Sequence, residues 1–216
     1  RDGKKIPLEN GEDTDKIVKE LKTSDYAVSK IIKKETKRRP SPPFTTSTMQ
    51  QEASRKLNFT ARRTMMAAQQ LYEMGFITYM RTDSLRIATV AQNEARSYIS
   101  QKFGDKFIPS APRQYKAKKS AQDAHEAIRP TYAANSPEKY KDTFKPDQFK
   151  LYRLIWQRFM ASQMSDAIMD TVSAEITTDK YMLKASGSTV KFAGFTTLYV
   201  EGKDTEEEKA KKLPVL

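Results

Sequence analysis

Cysteine is absent from this chain of 216 residues. Its absence excludes disulfides and thiolate metal sites, and it is compatible with the cytosol. His125 is the only histidine, so a metal site built from several histidines is excluded as well. No apolar run approaches the roughly 20 residues that a membrane span needs, and the polar start carries no secretory signal. We therefore expect no membrane partner and a cytoplasmic location.

Acidic residues are few relative to basic ones. Lys and Arg number 39 against 27 Asp and Glu, which gives a formal net charge of +12. Such an excess favours a polyanionic partner, and nucleic acid is the commonest one for a protein without a membrane segment. The length allows one or two domains with a substantial core.

Residues 76–85, which read FITYMRTDSL, combine three reactive side chain types at alternating positions. In an extended backbone Tyr79, Arg81 and Asp83 point to the same side. A phenol can attack a phosphate, a guanidinium can hold phosphate oxygens through paired hydrogen bonds, and a carboxylate can orient a neighbour. Such a set could serve phosphoryl transfer, but the spacing alone does not justify that interpretation, because this pattern is more often the solvated face of a strand in a basic protein.

Three segments together resemble type IA DNA topoisomerases, in the order and with the spacing of that family. The likeness extends over most of the chain. The segments are PFTTSTMQQEASRKL (43–57), YMRTDS (79–84) and AHEAIRPT (124–131).

The resemblance implies roles for four residues of the predicted active site. It implies that Tyr79 is the nucleophile and that Arg81 holds the scissile phosphate. It also implies that His125 lies beside the tyrosine segment, where Asp83 can hydrogen-bond the imidazole and fix its tautomer or favour its charge.

Three further residues are predicted to contact DNA. Gln69 and Glu73 lie four apart on one helix face, and the matching positions of the family contact single-stranded DNA near the cleavage point. Arg129 is predicted to hold a phosphate. Exposed Gln and Glu pairs are often without a specific role, and Arg129 can instead pair with a local acid such as Glu126.

The resemblance implies a reaction and its requirements. Such an enzyme relaxes negatively supercoiled DNA without ATP, through single-strand cleavage, a 5′-phosphotyrosine, strand passage and religation. Its partners are single-stranded and underwound duplex DNA in the bacterial nucleoid, and we expect a monomer. The Mg²⁺ that the family uses is bound by an acidic toprim domain. This chain shows no Asp-x-Asp cluster after an apolar strand, so we expect a piece of a longer protein, inactive alone.

Local patterns predict an α+β fold, with a mainly helical winged-helix-like domain inserted into a β-rich arch. The arch would comprise residues 1–44 and 165–216, and the tyrosine domain residues 45–164. Helices are predicted at 13–21, 47–57, 61–74, 89–103 and 147–164, and strands at 26–36, 76–80, 173–177, 181–185 and 189–199. Because one strand cannot form a stable sheet, strand 26–36 is expected to pair with the C-terminal strands.

Two other functions remain open from the sequence. A non-catalytic winged-helix module that binds DNA would keep the charge and the helices, with Tyr79 as a core residue of a strand. A basic RNA-associated scaffold would explain the charge but not the three segments. The accessibility of Tyr79 separates the first of these from an enzyme, because a nucleophile must reach a groove.

Overall fold

A computed structural model describes residues 6–115 and 125–201, and these residues have an α+β fold. The part of the chain so described contains the five α-helices that were predicted, but three β-strands where the sequence predicted five. The helices are α1 Gly11–Lys22, α2 Thr46–Leu57, α3 Ala61–Glu73, α4 Thr89–Phe103 and α5 Pro146–Ser162, and the strands are β1 Ala27–Arg38, β2 Ala167–Thr177 and β3 Met182–Phe192.

The described residues form two compact units. One contains residues up to 36 together with 169–191, and the other contains 37–168 together with the described residues from 192 onward. In sequence, most of the second unit therefore lies between two parts of the first. The assignment of an arch and a tyrosine domain to these parts stays a prediction.

The first unit is built on a three-stranded sheet with the order β1-β2-β3. The sheet is antiparallel, because Ser29 Oγ donates to Glu175 O at 3.1 Å while Thr177 Oγ1 donates to Ala27 O at 3.4 Å. The predicted pairing of the N-terminal strand with the C-terminal strands is thus confirmed. A tight turn closed by the hydrogen bond from Thr178 N to Tyr181 O at 2.8 Å joins β2 to β3.

The C-terminal part contains two strands where the sequence predicted three. Gly187, predicted to be in a turn, lies inside β3, because its neighbours continue the pairing with β2. The predicted third strand fails after Phe192. Gly194 has φ +50°, outside the range of a strand, and opens a short 3-10 helix, Gly194–Thr197, whose Phe195 is buried.

Helix α5 is the centre of the second unit. It begins at Pro146, where proline is tolerated because the first amides of a helix have no intrahelical acceptor, and its apolar residues are buried. The large side chains most completely buried are those of Leu151, Tyr152, Ile155, Phe159 and Met160. None of the helices in the described residues is long and apolar enough for a membrane span.

Helix α3 packs beside α5 through small side chains. Thr64, Ala67, Ala68 and Leu71 are its buried residues. The sequence predicted a buried stripe of Met65, Ala68, Leu71 and Tyr72, with Met66 nearby. Two of these are instead exposed, Met66 by 56% and Tyr72 by 41%, because the alanines face the core and the long side chains emerge at the flanks.

Gly194 is predicted to be the least replaceable glycine of the second unit. A Cβ there would approach the carbonyl carbon of Asp166 to 2.6 Å and Ser165 O to 2.7 Å, in a backbone conformation that L side chains avoid. Gly194→Ala should therefore lower the free energy of unfolding by about 3 kcal/mol, from overpacking and backbone strain combined. Urea unfolding measures the change.

Two other glycines serve as controls. Gly75 also has positive φ but has open space around its Cβ position, so Gly75→Ala should cost only about 1 kcal/mol. Gly187 has neither constraint, so Gly187→Ala should leave the unfolding midpoint almost unchanged. Equal losses in Gly194→Ala and Gly75→Ala would show that the close approach to residues 165–166 has no energetic weight.

Candidate active site

Residues 76–86 cross the second unit as an irregular segment that bends at positions 76, 78, 80 and 81 and belongs to no sheet. The sequence predicted a strand at 76–80, but only one isolated bridge forms there, between Ile77 and Pro130. Elsewhere in the segment, hydrogen bonds of two threonines take the place of a regular ladder. Thr46 lies outside the segment and bonds its backbone, whereas Thr78 lies inside it and bonds residues 127 and 129.

Thr46 fixes one side of the segment from the first turn of α2. Its Oγ1 donates to Met80 O at 2.7 Å and accepts from Thr82 N at 2.9 Å, while Thr46 N donates to Thr82 O at 2.9 Å. A single residue thereby pairs with the backbone on both sides of Arg81. Thr45 caps the same helix by accepting a hydrogen bond from Thr48 N. Thr46 therefore lies at a capped helix N-terminus.

Thr78 fixes the other side of the segment, against residues 127–131. Thr78 N donates to Arg129 O at 3.0 Å, and its Oγ1 donates to Ala127 O at 2.8 Å. In return Arg129 N donates to Thr78 Oγ1 at 3.0 Å. A further hydrogen bond from Ala127 N to Arg86 O at 2.9 Å extends the contact. The three sequence segments that suggested the family thus meet in one place.

Side chains along the segment alternate between the core and solvent. Met80, Thr82 and Ser84 are buried, whereas Tyr79, Arg81 and Asp83 are exposed. The alternation expected for an extended backbone is therefore confirmed. A phenol, a guanidinium and a carboxylate are all presented on the solvent side.

Tyr79 lies between two other rings. Its ring packs edge-on against Tyr72, with centroids 5.3 Å apart, and its centroid is 6.3 Å from that of His125 at an interplanar angle of 38°. The Tyr79 side chain is 40% exposed. The pairing of Thr78 with residues 127–131 explains this geometry, since it brings His125 beside the tyrosine.

The polar ends of Tyr79, Arg81 and Asp83 have no partner among the described residues. Within the described residues no hydrogen bond or ion pair holds the Tyr79 phenol, the Arg81 guanidinium or the Asp83 carboxylate. Asp83 and His125 are not hydrogen-bonded to each other here, so the contact predicted between them stays a prediction. Groups that act on a substrate often tighten only when it binds.

Gln69 and Glu73 form a hydrogen-bonded pair on the last turns of α3. Gln69 Nε2 donates to Glu73 Oε1 at 2.7 Å, as residues four apart on one helix face can do. Glu73 is exposed and Gln69 is half-buried. Tyr72, whose ring packs against Tyr79, lies between the two residues in sequence. The predicted contact of the pair with DNA stays a prediction.

Arg129 is paired locally rather than open to an anion. Its guanidinium contacts Glu126 Oε2 at 2.7 Å and also donates to Pro130 O at 3.0 Å and Thr131 O at 3.2 Å. Its side chain is only 12% exposed. The local pairing that the sequence left open is therefore present. A phosphate would have to displace Glu126 before Arg129 could hold it.

The described residues do not fit a magnesium site. Mg²⁺ prefers several oxygen ligands in octahedral geometry, and no group of three or more carboxylate or histidine side chains gathers anywhere in the described part of the chain. The exposed site itself offers one carboxylate, Asp83, and one imidazole, His125.

Sequence reasoning missed three residues that shape the site. Thr46 and Thr78 were not singled out, although both lie inside or beside the segments that resemble the family. Tyr72 was placed in the core, yet its ring supports Tyr79 at the surface. Its position seven residues before Tyr79, on the last turn of α3, was the available signal.

The chain is similar to known DNA topoisomerases. The sequence model of a bacterial protein family with the description "DNA topoisomerase" matches residues 2–216. Among solved structures, full-length topoisomerase I from Thermotoga maritima superposes with a TM-score of 0.76 at 37% sequence identity. The match covers 90% of this chain and 32% of the Thermotoga protein. The chain therefore spans about a third of the length of that relative.

Thr46 is predicted to hold the tyrosine segment mainly through its hydroxyl. Thr46→Val keeps the shape but leaves Thr82 N and Met80 O without their partner, which should lower the free energy of unfolding by about 2 kcal/mol. The amide of Thr82 should also exchange with solvent faster. Urea unfolding and amide hydrogen exchange measure the two effects.

Thr46→Ser is the matched control, because serine keeps the hydroxyl and loses only a methyl group. It should retain most of the stability and the slow exchange at Thr82. If valine and serine gave the same exchange rate at Thr82, the hydroxyl would not be what holds the segment.

Proposed function

Since the chain belongs to the bacterial type IA DNA topoisomerase family, we propose that it supplies the nucleophile of such an enzyme. The enzyme containing it would cut one strand of underwound DNA, hold the 5′ phosphate on Tyr79, pass the other strand through the gap and reseal the cut. It would act as a monomer. It would need no ATP, because the phosphotyrosine bond conserves the energy of the broken phosphodiester.

One observation carries this proposal: Tyr79 is exposed beside His125, on the same side of the segment as Arg81. A tyrosine that served only as a core residue of a winged helix would be buried, whereas the Tyr79 side chain is 40% exposed and its phenol has no partner in the described residues. The exposure favours the enzyme over the non-catalytic DNA-binding module.

The proposed chemistry is an in-line exchange of two phosphate ester bonds. The Tyr79 oxygen forms a bond to phosphorus as the bond from phosphorus to the 3′ oxygen breaks. The phenol gives up its proton and the departing 3′ oxygen gains one, so charge and atoms balance. Religation is the same exchange in reverse, with the 3′ hydroxyl attacking the phosphotyrosine and tyrosine leaving.

The neighbours of Tyr79 have distinct proposed roles. Arg81 would hold the non-bridging oxygens of the scissile phosphate, since a guanidinium can donate two parallel hydrogen bonds. His125 would orient or protonate an oxygen of the same phosphate, with Asp83 fixing its orientation when DNA is bound. Gln69 and Glu73 would contact the strand beside the cut, and Arg129 would join only if Glu126 released it.

Two structural assignments accompany the function. We propose that residues 45–164 form a winged-helix-like domain, in which α2 and α3 precede the extended tyrosine segment. We also propose that residues 1–44 and 165–216 contribute to a β-rich arch that opens as a gate for DNA. The Mg²⁺ of the family would be bound by an acidic domain of the longer enzyme, outside this chain.

Replacing the attacking oxygen should abolish the reaction. In the intact enzyme that contains this chain, Tyr79→Phe keeps the ring between Tyr72 and His125 but removes the nucleophile. Relaxation of supercoiled plasmid and formation of the covalent DNA adduct should both fall below detection. An agarose relaxation gel and a denaturing gel with end-labelled oligonucleotide measure the two activities.

Tyr132→Phe is the matched control, because Tyr132 is also exposed, by 56%, and lies outside the site. It should relax plasmid like the unsubstituted enzyme. An adduct that survives Tyr79→Phe would mean that another residue is the nucleophile.

The chain alone should bind single-stranded DNA weakly and with strong dependence on salt. Phosphate contacts by Lys and Arg release counterions, so with about six contacts the affinity should fall by orders of magnitude between 50 and 200 mM salt. Fluorescence anisotropy with a labelled oligonucleotide measures this. An affinity that does not change with salt would contradict the electrostatic basis of the proposal.

The chain alone should not relax supercoiled DNA. It carries the proposed nucleophile, but its described residues offer no magnesium site, and the acidic domain lies outside it. A relaxation assay with Mg²⁺, using the intact enzyme as the positive control, tests this. Robust relaxation by the isolated chain would mean that the whole active site lies within it. It would contradict the proposal that a separate acidic domain binds the Mg²⁺.

A further inference from the structure

A cleft of about 470 Å³ lies in the second unit, where α3 and α5 begin. It is separate from the ring of Tyr79, which lies beyond the other end of α3. Its walls combine charged, amide and apolar side chains, and its size is within the usual range for small ligands. The lining residues that matter for its chemistry are Arg62, Arg63, Met66, Gln70, Lys145 and Asp147.

An ion pair between the two helices forms a rigid part of the cleft. Arg63 donates to both carboxylate oxygens of Asp147, at 2.6 and 2.7 Å, and its guanidinium lies 4.3 Å from the centre of the Phe59 ring. The pKa of Asp147 is lowered, chiefly by the hydrogen bond from Arg63. The one carboxylate of the cleft is therefore already matched by a cation.

Two further cations line the cleft without a partner. Within the described residues neither Arg62 nor Lys145 forms an ion pair or a side chain hydrogen bond. Gln70 accepts from Gln148 Nε2 at 2.9 Å through its oxygen, which leaves its own NH₂ group available as a donor. Met66 adds an apolar wall that is 56% exposed. Net positive charge, an amide donor and an apolar surface together suit a phosphate with an attached base.

We propose that this cleft binds one nucleotide of the single strand at a distance from the cleavage point. Its phosphate would lie between Arg62 and Lys145, and its base would lie against Met66 within reach of Gln70. This inference rests on the proposed function, and it adds a second point at which the same strand is held.

The surface of α3 provides a path between the two points. Arg62, Met66, Gln69 and Glu73 follow one another at helical spacing and form one stripe. Arg62 and Glu73 are separated by about 16 Å along the helix axis, at about 1.5 Å per residue. A strand leaving Tyr79 past Gln69 and Glu73 would reach the cleft after a few nucleotides. Binding there would hold the cut strand in register while the gap is open.

The first test measures how the salt dependence of binding changes when the two cations are neutralised. Oligo-dT binding to the chain is followed by fluorescence anisotropy for Arg62→Gln, Lys145→Gln and the double variant. One neutralised phosphate contributes about 0.7 to the slope of log K against log salt. The double variant leaves that phosphate without either cation, so it should lose about 0.7, and each single variant should lose less. Very short oligonucleotides, which cannot span both points, should show a smaller change.

Arg153→Gln is the matched control, since Arg153 is an exposed cation on α5 that does not line the cleft. It should leave the slope unchanged. A double variant whose slope matches that of Arg153→Gln, while the unsubstituted chain still binds oligo-dT, would overturn the cleft proposal and leave the proposed function intact.

The second test does not depend on a DNA strand. Thymidine 5′-monophosphate is titrated into the isotopically labelled chain, and amide shifts are followed by NMR. Shifts at Arg62, Gln70 and Lys145 that disappear in the double variant would support the nucleotide site even if oligo-dT binding failed. No shift at these residues, or equal shifts in the double variant, would refute it.

Discussion

Two threonine hydroxyls determine how this chain presents Tyr79 at its surface. Thr46 and Thr78 hold the segment around Tyr79 from opposite sides, Thr46 through Met80 and Thr82, and Thr78 through residues 127 and 129. A strand inside a sheet would place alternate side chains against covering layers on one or both faces. Held by hydroxyls, the segment can bury Met80 and still leave the side of Tyr79 open.

A second constraint on the same unit is a buried cation, Arg158. Arg158 is 5% exposed and donates to Pro42 O at 2.6 Å and to the Tyr199 hydroxyl at 3.2 Å, and it pairs with Glu201. The Tyr199 hydroxyl in turn donates to Glu52 at 2.8 Å, and burial raises the pKa of Tyr199. Removing either partner of such a network would leave a buried charge uncompensated, which usually costs several kcal/mol.

The sequence predicted the helices and the shared sheet well, because their signals are local. Helical periodicity, Gly104 after α4 and the alternation of β1 each depend on a few adjacent residues. The predictions failed where distant contacts decide the conformation. In place of the strand expected at 76–80, Thr46 bonds Met80 across 34 residues and Thr78 bonds Ala127 across 49 residues. The last strand ends because Gly194 packs on the backbone of residues 165–166. Neither of these long-range contacts can be predicted from the neighbouring residues in the sequence.

In the site, too, the residues could be named from the sequence, but the way their side chains pack could not. The resemblance named Tyr79 and His125, and the fold brings their rings within 6.3 Å. It could not reveal that Arg129 is held by Glu126, or that Tyr72 stands at the surface, because both depend on how the side chains pack. The nucleophilic role proposed for Tyr79 requires a fixed backbone and an accessible phenol. The backbone of this segment is hydrogen-bonded on both sides, while the Tyr79 phenol has no partner among the described residues.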